Sequence, residues 1–243
     1  MRTLLIDGDI VVYQYSTTVE NIVDWGQDVW SLWADAKQAQ QLVLQYLDIL
    51  MEKTAADDLV FCFTGHTNFR KEIYPAYKAN RKGKRKPVCY NPVKDWVKKN
   101  YKFEEWVDLE ADDVLGIIAT SGDQIIKGEK VVVSEDKDLK TIPTLLWRSG
   151  ELLDITKEEA DYNHLFQTLK GDTTDGYPGL RGVGEVKAKT ILTVPTWARV
   201  EGAFIKAGFT KEEALTQARL ARILRFEDYN FEYNQPILWT PNQ

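Results

Sequence analysis

Four short, nearly unbroken apolar runs recur along the chain: TLLID at 3–7, LVFCFT at 59–64, KVVVS at 130–134 and TLLW at 144–147. Runs of this length without polar alternation fit strands buried on both faces. Longer stretches separate them, and one, QAQQLVLQYLDILMEK at 38–53, has apolar positions at helical spacing. Strand–helix alternation of this kind predicts an α/β fold with a central, mostly parallel sheet flanked by helices.

In open α/β sheets the ligand site lies beyond the carboxyl ends of the strands. Asp7 and Asp9 follow the first run and Asp136 and Asp138 follow the third, whereas the second ends in Thr64. The chain adds LEADDVLGIIA, with Glu110, Asp112 and Asp113 at the start of an apolar helix, and GDTTD, with Asp172 and Asp175 three apart. Each motif alone has a plain structural explanation. Acidic residues cap helix starts, an aspartate beside glycine makes an Asx-turn, and SEDKDL suits a charged loop. If the strand conformation continues past Ser134, Asp136 and Asp138 point the same way.

Taken together, at least seven carboxylates from four separated segments reach one edge of the sheet. Their mutual repulsion calls for cations. An all-oxygen ligand set selects hard ions, Mg2+ or Mn2+, over zinc, and the two histidines, His66 and His164, have no ligand spacing. So many carboxylates exceed the needs of one magnesium and suit two ions about 4 Å apart on a phosphodiester, with water as the nucleophile.

The 243 residues are 44% hydrophobic and 28% charged, which excludes collagenous and disordered classes. Two cysteines without paired spacing imply neither a disulfide framework nor a zinc site, and so a reducing compartment. Asp7 and Asp9 interrupt what would have to be a signal peptide's apolar region. No apolar run approaches membrane-spanning length, so no membrane is expected and a cytoplasmic location is.

The net charge of −6 conceals a separation of charge. Between Arg70 and Lys86 stand eight basic residues, Arg70, Lys71, Lys78, Arg81, Lys82, Lys84, Arg85 and Lys86, against the single acid Glu72. That stretch is net +7, leaving −13 for the remainder. With Tyr74, Tyr77 and Tyr90 nearby, it matches a nucleic-acid surface that neutralises phosphates and stacks on unpaired bases; a solvated basic loop is the plainer alternative. The basic, proline-containing stretch 78–106 reads as a mobile insertion over the sheet. Further on, GLRGVGEVKAKT places Gly179, Gly182 and Gly184 before a helix with Lys187 and Lys189 close by, a pattern that lets backbone amides approach a phosphate. Composition shifts near Lys170, giving an expected α/β unit at 1–170, with the basic region at about 70–105, and a helical unit at 171–243. The tail YNQPILWTPNQ is expected to pack.

YKANR, LEADD, SEDKDL and GDTTDGYPGLRGVG, in this order and spacing, resemble the flap-endonuclease-like 5′ nuclease family, particularly its phage-encoded 5′→3′ exonucleases. The likeness runs from Asp7 to about Leu192. It implies a helical arch or clamp over the site and a C-terminal helix-turn-helix-like DNA-binding subdomain, which often holds K+ through backbone carbonyls; Gly182 and Gly184 match that element. By resemblance, Glu110, Asp112 and Asp136 hold the catalytic metal, and Asp113, Asp138, Asp172 and Asp175 serve a second ion or its water shell. Asp7 matches the first family aspartate. Tyr77, Lys78 and Arg81 match the arch base, where the tyrosine stacks near the 5′ terminal nucleotide and the cations meet the scissile phosphate. One departure is Thr64, where many relatives carry an aspartate, and Asp9 is a candidate replacement.

The activity so implied is divalent-metal-dependent hydrolysis of DNA from 5′ ends, with cutting of 5′ flaps, in replication, repair or host-DNA degradation. DNA with 5′ ends or flaps is the expected partner, and the host cytoplasm the location if the chain is phage-encoded. The alternatives are a ribonuclease acting on RNA or RNA–DNA hybrids, a catalytically inactive structure-specific DNA-binding protein, and, more distantly, a small-molecule phosphatase.

Overall fold

A computed structural model describes residues 1–241. Strand β1 (Arg2–Asp7) runs into helix α1 (Gly8–Thr18), whose first turn is capped by Asp7 accepting the Ile10 amide at 3.1 Å. A hairpin, β2 (Glu20–Asp24) and β3 (Trp30–Ala34), follows and holds Trp25, Trp30 and Trp33 in solvent. Helix α2 (Ala36–Thr54) buries Ala39, Val43, Leu47 and Leu50, the 3.6-residue stripe expected of it. Strand β4 (Asp58–Phe63) comes next.

Beyond it lie a single turn, α3 (Arg70–Ile73), a 3₁₀ turn at Ala79–Arg81, helix α4 (Tyr90–Asn100) and edge strand β5 (Phe103–Glu105). The expectation of an insertion across 78–106 is corrected here. Tyr90, Val93 and Val97 form a buried stripe, so α4 is a core helix despite its lysines, and the exposed basic segment narrows to residues around 78–88. Charge dominates this stretch in composition, but three apolar positions at helical spacing decide where it packs.

Helix α5 (Ala111–Ala119), strand β6 (Glu129–Val133), a 3₁₀ turn at Lys137–Thr141, and strands β7 (Leu145–Arg148) and β8 (Glu151–Asp154) complete the α/β part. Helices α6 (Lys157–Lys170), α7 (Glu185–Ile191), α8 (Trp197–Lys206) and α9 (Lys211–Ala221) follow, then the short pair β9 (Tyr229–Asn230) and β10 (Gln235–Pro236).

The main sheet has the order β5-β4-β1-β6-β7-β8, parallel except for β8, which pairs antiparallel with β7. Alternate residues of the central strands face opposite layers. Leu4, Ile6, Phe61, Phe63, Val131 and Val133 meet α1, α2 and α4. Leu5, Val60, Cys62 and Val132 meet α5 and the segment around Ile223 and Leu224. Burial on both faces explains why the runs carry no polar alternation. A third core joins α6 to α7, α8 and α9 through Leu165, Leu169, Leu180, Ala188, Val200, Phe204 and Ala214. Trp239 of the tail packs edge-on against His164 and Trp197, while Asn242 and Gln243 lie outside the described residues.

Candidate active site

The carboxyl ends of β1 and β6 bring Asp7 and Asp136 together through one hydroxyl. Ser134 donates to Asp7 at 2.9 Å and accepts the Asp136 amide at 3.1 Å. Burial pushes the Asp7 carboxyl up to about 7, with the charges of Asp9 and Asp136 adding to the rise. Asp112, on the first turn of α5, is also raised well above the carboxylate range, first by burial and then by Asp7 and Asp136. Strand geometry stops at Val133, so Asp136 and Asp138 are not alternate residues of one strand. Asp136 instead caps the 3₁₀ turn, accepting the Asp138 amide at 2.8 Å, and the turn carries Asp138 to α6, where Gln167 donates to it at 2.7 Å. The Asp138 carboxyl is pushed up to about 7 by burial and then by Asp136.

A second group of acids is already countered by cations. Lys78 bonds Glu110 and lies 3.5 Å from Asp175, and Arg81 reaches Asp175 at 2.6 Å. Burial alone would raise Glu110, but Lys78 and Arg70 hold its carboxyl below the ordinary range. Lys137 lies 3.2 Å from Asp172 and 3.8 Å from Asp138. Asp172 forms the Asx-turn, one oxygen accepting the amides of Thr174 at 2.7 Å and Asp175 at 3.2 Å while the other accepts Lys137. By contrast, no salt bridge reaches Asp7, Asp112 or Asp136 among the described residues.

Two sequence-level assignments are corrected. Arg70, expected on DNA, is 2% exposed, and Asp113, expected at a metal, is fully buried; they form a bidentate pair with both N–O distances 2.7 Å. Arg70 also donates to the carbonyls of Leu220 and Arg222, and Asp113 accepts the Leu224 amide at 3.1 Å, which ties α3, α5 and the end of α9 together. Asp113 also accepts the Glu110 amide at 3.2 Å, so its two oxygens hold four donors, and Arg70 is sealed in the core.

The tyrosines are corrected as well. Tyr77, 2% exposed, stacks on Tyr177 and donates to Glu110 at 2.9 Å and Asp175 at 3.1 Å, so its ring orders carboxylates and is unavailable to a base. Tyr90 is likewise buried, donating to Asp9 at 2.8 Å. Lys71, Arg81, Lys82, Lys84, Arg85 and Lys86 remain exposed, with Arg85 paired to Glu20 at the base of the hairpin. Gly182 has φ +81 and, like Gly184, open space around its Cα. Lys187 donates to the Gly182 carbonyl at 2.9 Å.

Nothing in the sequence around a lone serine or glutamine marks Ser134 or Gln167 as a partner of a carboxylate, and Tyr177 enters only as the ring stacked on Tyr77. Thr64 is engaged by its hydroxyl, which accepts the Ala111 amide at the start of α5 at 3.1 Å. Among the described residues, no three acidic, histidine or cysteine side chains already form a coordination sphere. The carboxylates meet in pairs, held by Ser134, Tyr77, Lys78 and Lys137. The donor set, all carboxylate oxygen, fits hard divalent cations.

A parallel α/β sheet with carboxylates at its strand ends and a basic segment beside them defines the phosphodiester-processing class to which three comparisons point. The model of the 5′-3′ exonuclease N-terminal resolvase-like domain matches residues 2–164. The chain is 34% identical to the exodeoxyribonuclease of Enterobacteria phage T3, across 98% of this chain and 92% of that one. It is also 34% identical to the exonuclease of Escherichia phage T7, across 98% and 93%. The fold resembles that of the T5 D15 protein co-crystallised with metal ions, with a TM-score of 0.68, 12% identity, and 91% and 89% coverage. This chain belongs to the 5′-3′ exonuclease family, and it is a nuclease.

Proposed function

We propose that the protein is a divalent-metal-dependent 5′→3′ DNA exonuclease that also cuts 5′ flaps. The observation that carries this reading is the set Asp7, Asp112 and Asp136, acids near enough for the charge of Asp136 to raise the other two and reached by no salt bridge among the described residues, beside Lys78 and Arg81. Asp7, Glu110, Asp112 and Asp136 would hold one cation; Asp138, Asp172 and Asp175 would serve a second or its water shell. Mg2+ is the expected ion, with Mn2+ as a substitute. When bound, the cations neutralise the carboxylates and supply Lewis-acid activation of water and of the leaving oxygen.

The chain's own groups do the rest. Ser134 orients Asp7 relative to Asp136, and Tyr77 holds Glu110 against Asp175. Lys78 and Arg81, now bonded to these acids, would turn to the scissile phosphate once cations satisfy the carboxylates. Lys71, Lys82, Lys84, Arg85 and Lys86 would track the backbone of the DNA, and the Gly182–Gly184 turn with Lys187 would grip its duplex part, with K+ as the candidate ion there. We divide the chain into a nuclease unit and a helical DNA-binding unit; composition puts the boundary near Lys170, and we move it ahead of α6 because that helix shares the core of α7, α8 and α9. No helix of the described residues is long and apolar enough to cross a membrane, and the site of action we propose is the cytoplasm, that of the host if the gene is a phage's.

The test is cleavage of end-labelled blunt duplex, 5′-flap DNA and a matched RNA–DNA hybrid, with Mg2+ or EDTA. Mg2+-dependent loss from DNA 5′ ends supports the reading; preference for the hybrid, or binding without cleavage, overturns it.

A further inference from the structure

We infer that Asp9, carried on α1, supplies the carboxylate that β4 lacks and is a ligand of the divalent-cation site. The inference rests on reading that site as a cation centre. Three neighbouring strands open onto the site, and two of them lead to carboxylates, β1 to Asp7 and β6 to Asp136. The strand on the other side of β1 is β4, and it leads into the neutral Thr64, whose hydroxyl oxygen accepts the Ala111 amide.

Asp9 lies over that strand end although it belongs to a different element. One carboxylate oxygen accepts the Thr64 backbone amide at 2.9 Å and the other accepts the Tyr90 hydroxyl at 2.8 Å. Gly8 makes this approach feasible: a Cβ there would stand 2.4 Å from the buried Phe63 ring, so only glycine lets the start of α1 press onto the last residue of β4. The side chain of Asp9 is 26% exposed, and a carboxylate anchored by one donor on each oxygen keeps lone pairs for a further ligand. Lys94, with its ammonium 3.6 Å from Asp9 and 3.6 Å from Glu105, is the cation now opposite it. The plainer role for Asp9 is an anchor between α1, β4 and α4, neutralised by Lys94.

Mn2+ binding to the full chain without DNA, followed by calorimetry and by the electron paramagnetic resonance of the ion, separates the two roles. Asp9→Asn keeps acceptor and donor atoms for Thr64 and Tyr90, and thermal unfolding checks that the fold persists. A ligand role predicts Mn2+ binding weaker in Asp9→Asn by at least the roughly 10- to 100-fold that loss of an outer-shell partner costs. It also predicts recovery of most of that loss in Asp9→Asn/Thr64→Asp, where the carboxylate is returned to β4. Lys94→Met, which removes the competing ammonium, should tighten Mn2+ binding. Wild-type affinity in Asp9→Asn, no recovery in the double variant, or unchanged affinity in Lys94→Met each overturns the inference while leaving the cation centre standing. Absence of Mn2+ binding by the wild type would instead overturn the cation centre itself.

Discussion

Arg70 and Asp113 form a fully buried, bidentate ion pair that joins the base of the basic segment to the start of the helix carrying Glu110 and Asp112. Removing one partner strands the other charge in the core. Asp113→Asn should therefore lower unfolding stability by about 3–5 kcal/mol in urea titrations without metal. Stability within 1 kcal/mol of wild type would return Asp113 to the candidate ligands.

Ser134 is the hinge between Asp7 and Asp136. Ser134→Ala should keep the fold and cost about 10- to 100-fold in Mg2+ affinity or turnover, the usual penalty for losing an orienting partner. Raising Mg2+ should recover part of the loss; turnover equal to wild type at limiting Mg2+ would show that the hydroxyl orients nothing.

Asp136→Ala should reduce turnover by at least about 10²-fold while leaving DNA binding in Ca2+ near wild type, because the carboxylate serves the reaction and not the grip. Single-turnover cleavage beside equilibrium binding decides it, and a variant that cleaves normally but binds poorly would reverse the assignment.

Lys84 is exposed and free of the carboxylate network. Lys84→Ala should weaken binding to all DNA sequences alike and reduce the slope of log K against log salt by about 1. An unchanged slope would place the phosphate track elsewhere.

Asp7 and Asp138 both titrate at about 7 without metal, because burial, and then neighbouring aspartates, disfavour their charged forms. A cation binds the ionised carboxylates, so affinity should be full above pH 7 and fall as pH drops below it, by about tenfold per pH unit for each proton displaced. Calorimetry of Ca2+ binding in buffers of different ionisation enthalpy should register proton release at pH 6 and little at pH 8; pH-independent affinity would mean that these carboxylates take no part.

Much of the fold was legible because burial of both faces of a parallel sheet leaves a plain trace: four apolar runs, each long enough for one strand. The chemistry was legible for a similar reason, since carboxylates beyond strand ends and a +7 stretch in an acidic chain stand out in composition alone, although packing withdrew Arg70 and Asp113 from them. Helix α4 was missed because its three lysines, at the end of a basic stretch, mask the three residues that bury it. Tyr77 and Tyr90 were misjudged because a tyrosine suits a base and a carboxylate equally well until its hydroxyl has a partner.

Asp112 and Asp113 show where the sequence stops deciding. Adjacent in the chain and identical in type, they lie about 100° apart around α5. The residue type and spacing determined that a carboxylate-rich helix start would face the strand ends. The rotation of α5 against the sheet, set by Val114, Leu115, Ile117 and Ile118 in the core, then decided that Asp113 would meet Arg70 in the interior and Asp112 would join Asp7 and Asp136. Spacing along a helix is local, but the partner each side chain finds is contributed by segments tens of residues away, and only packing brings those within reach.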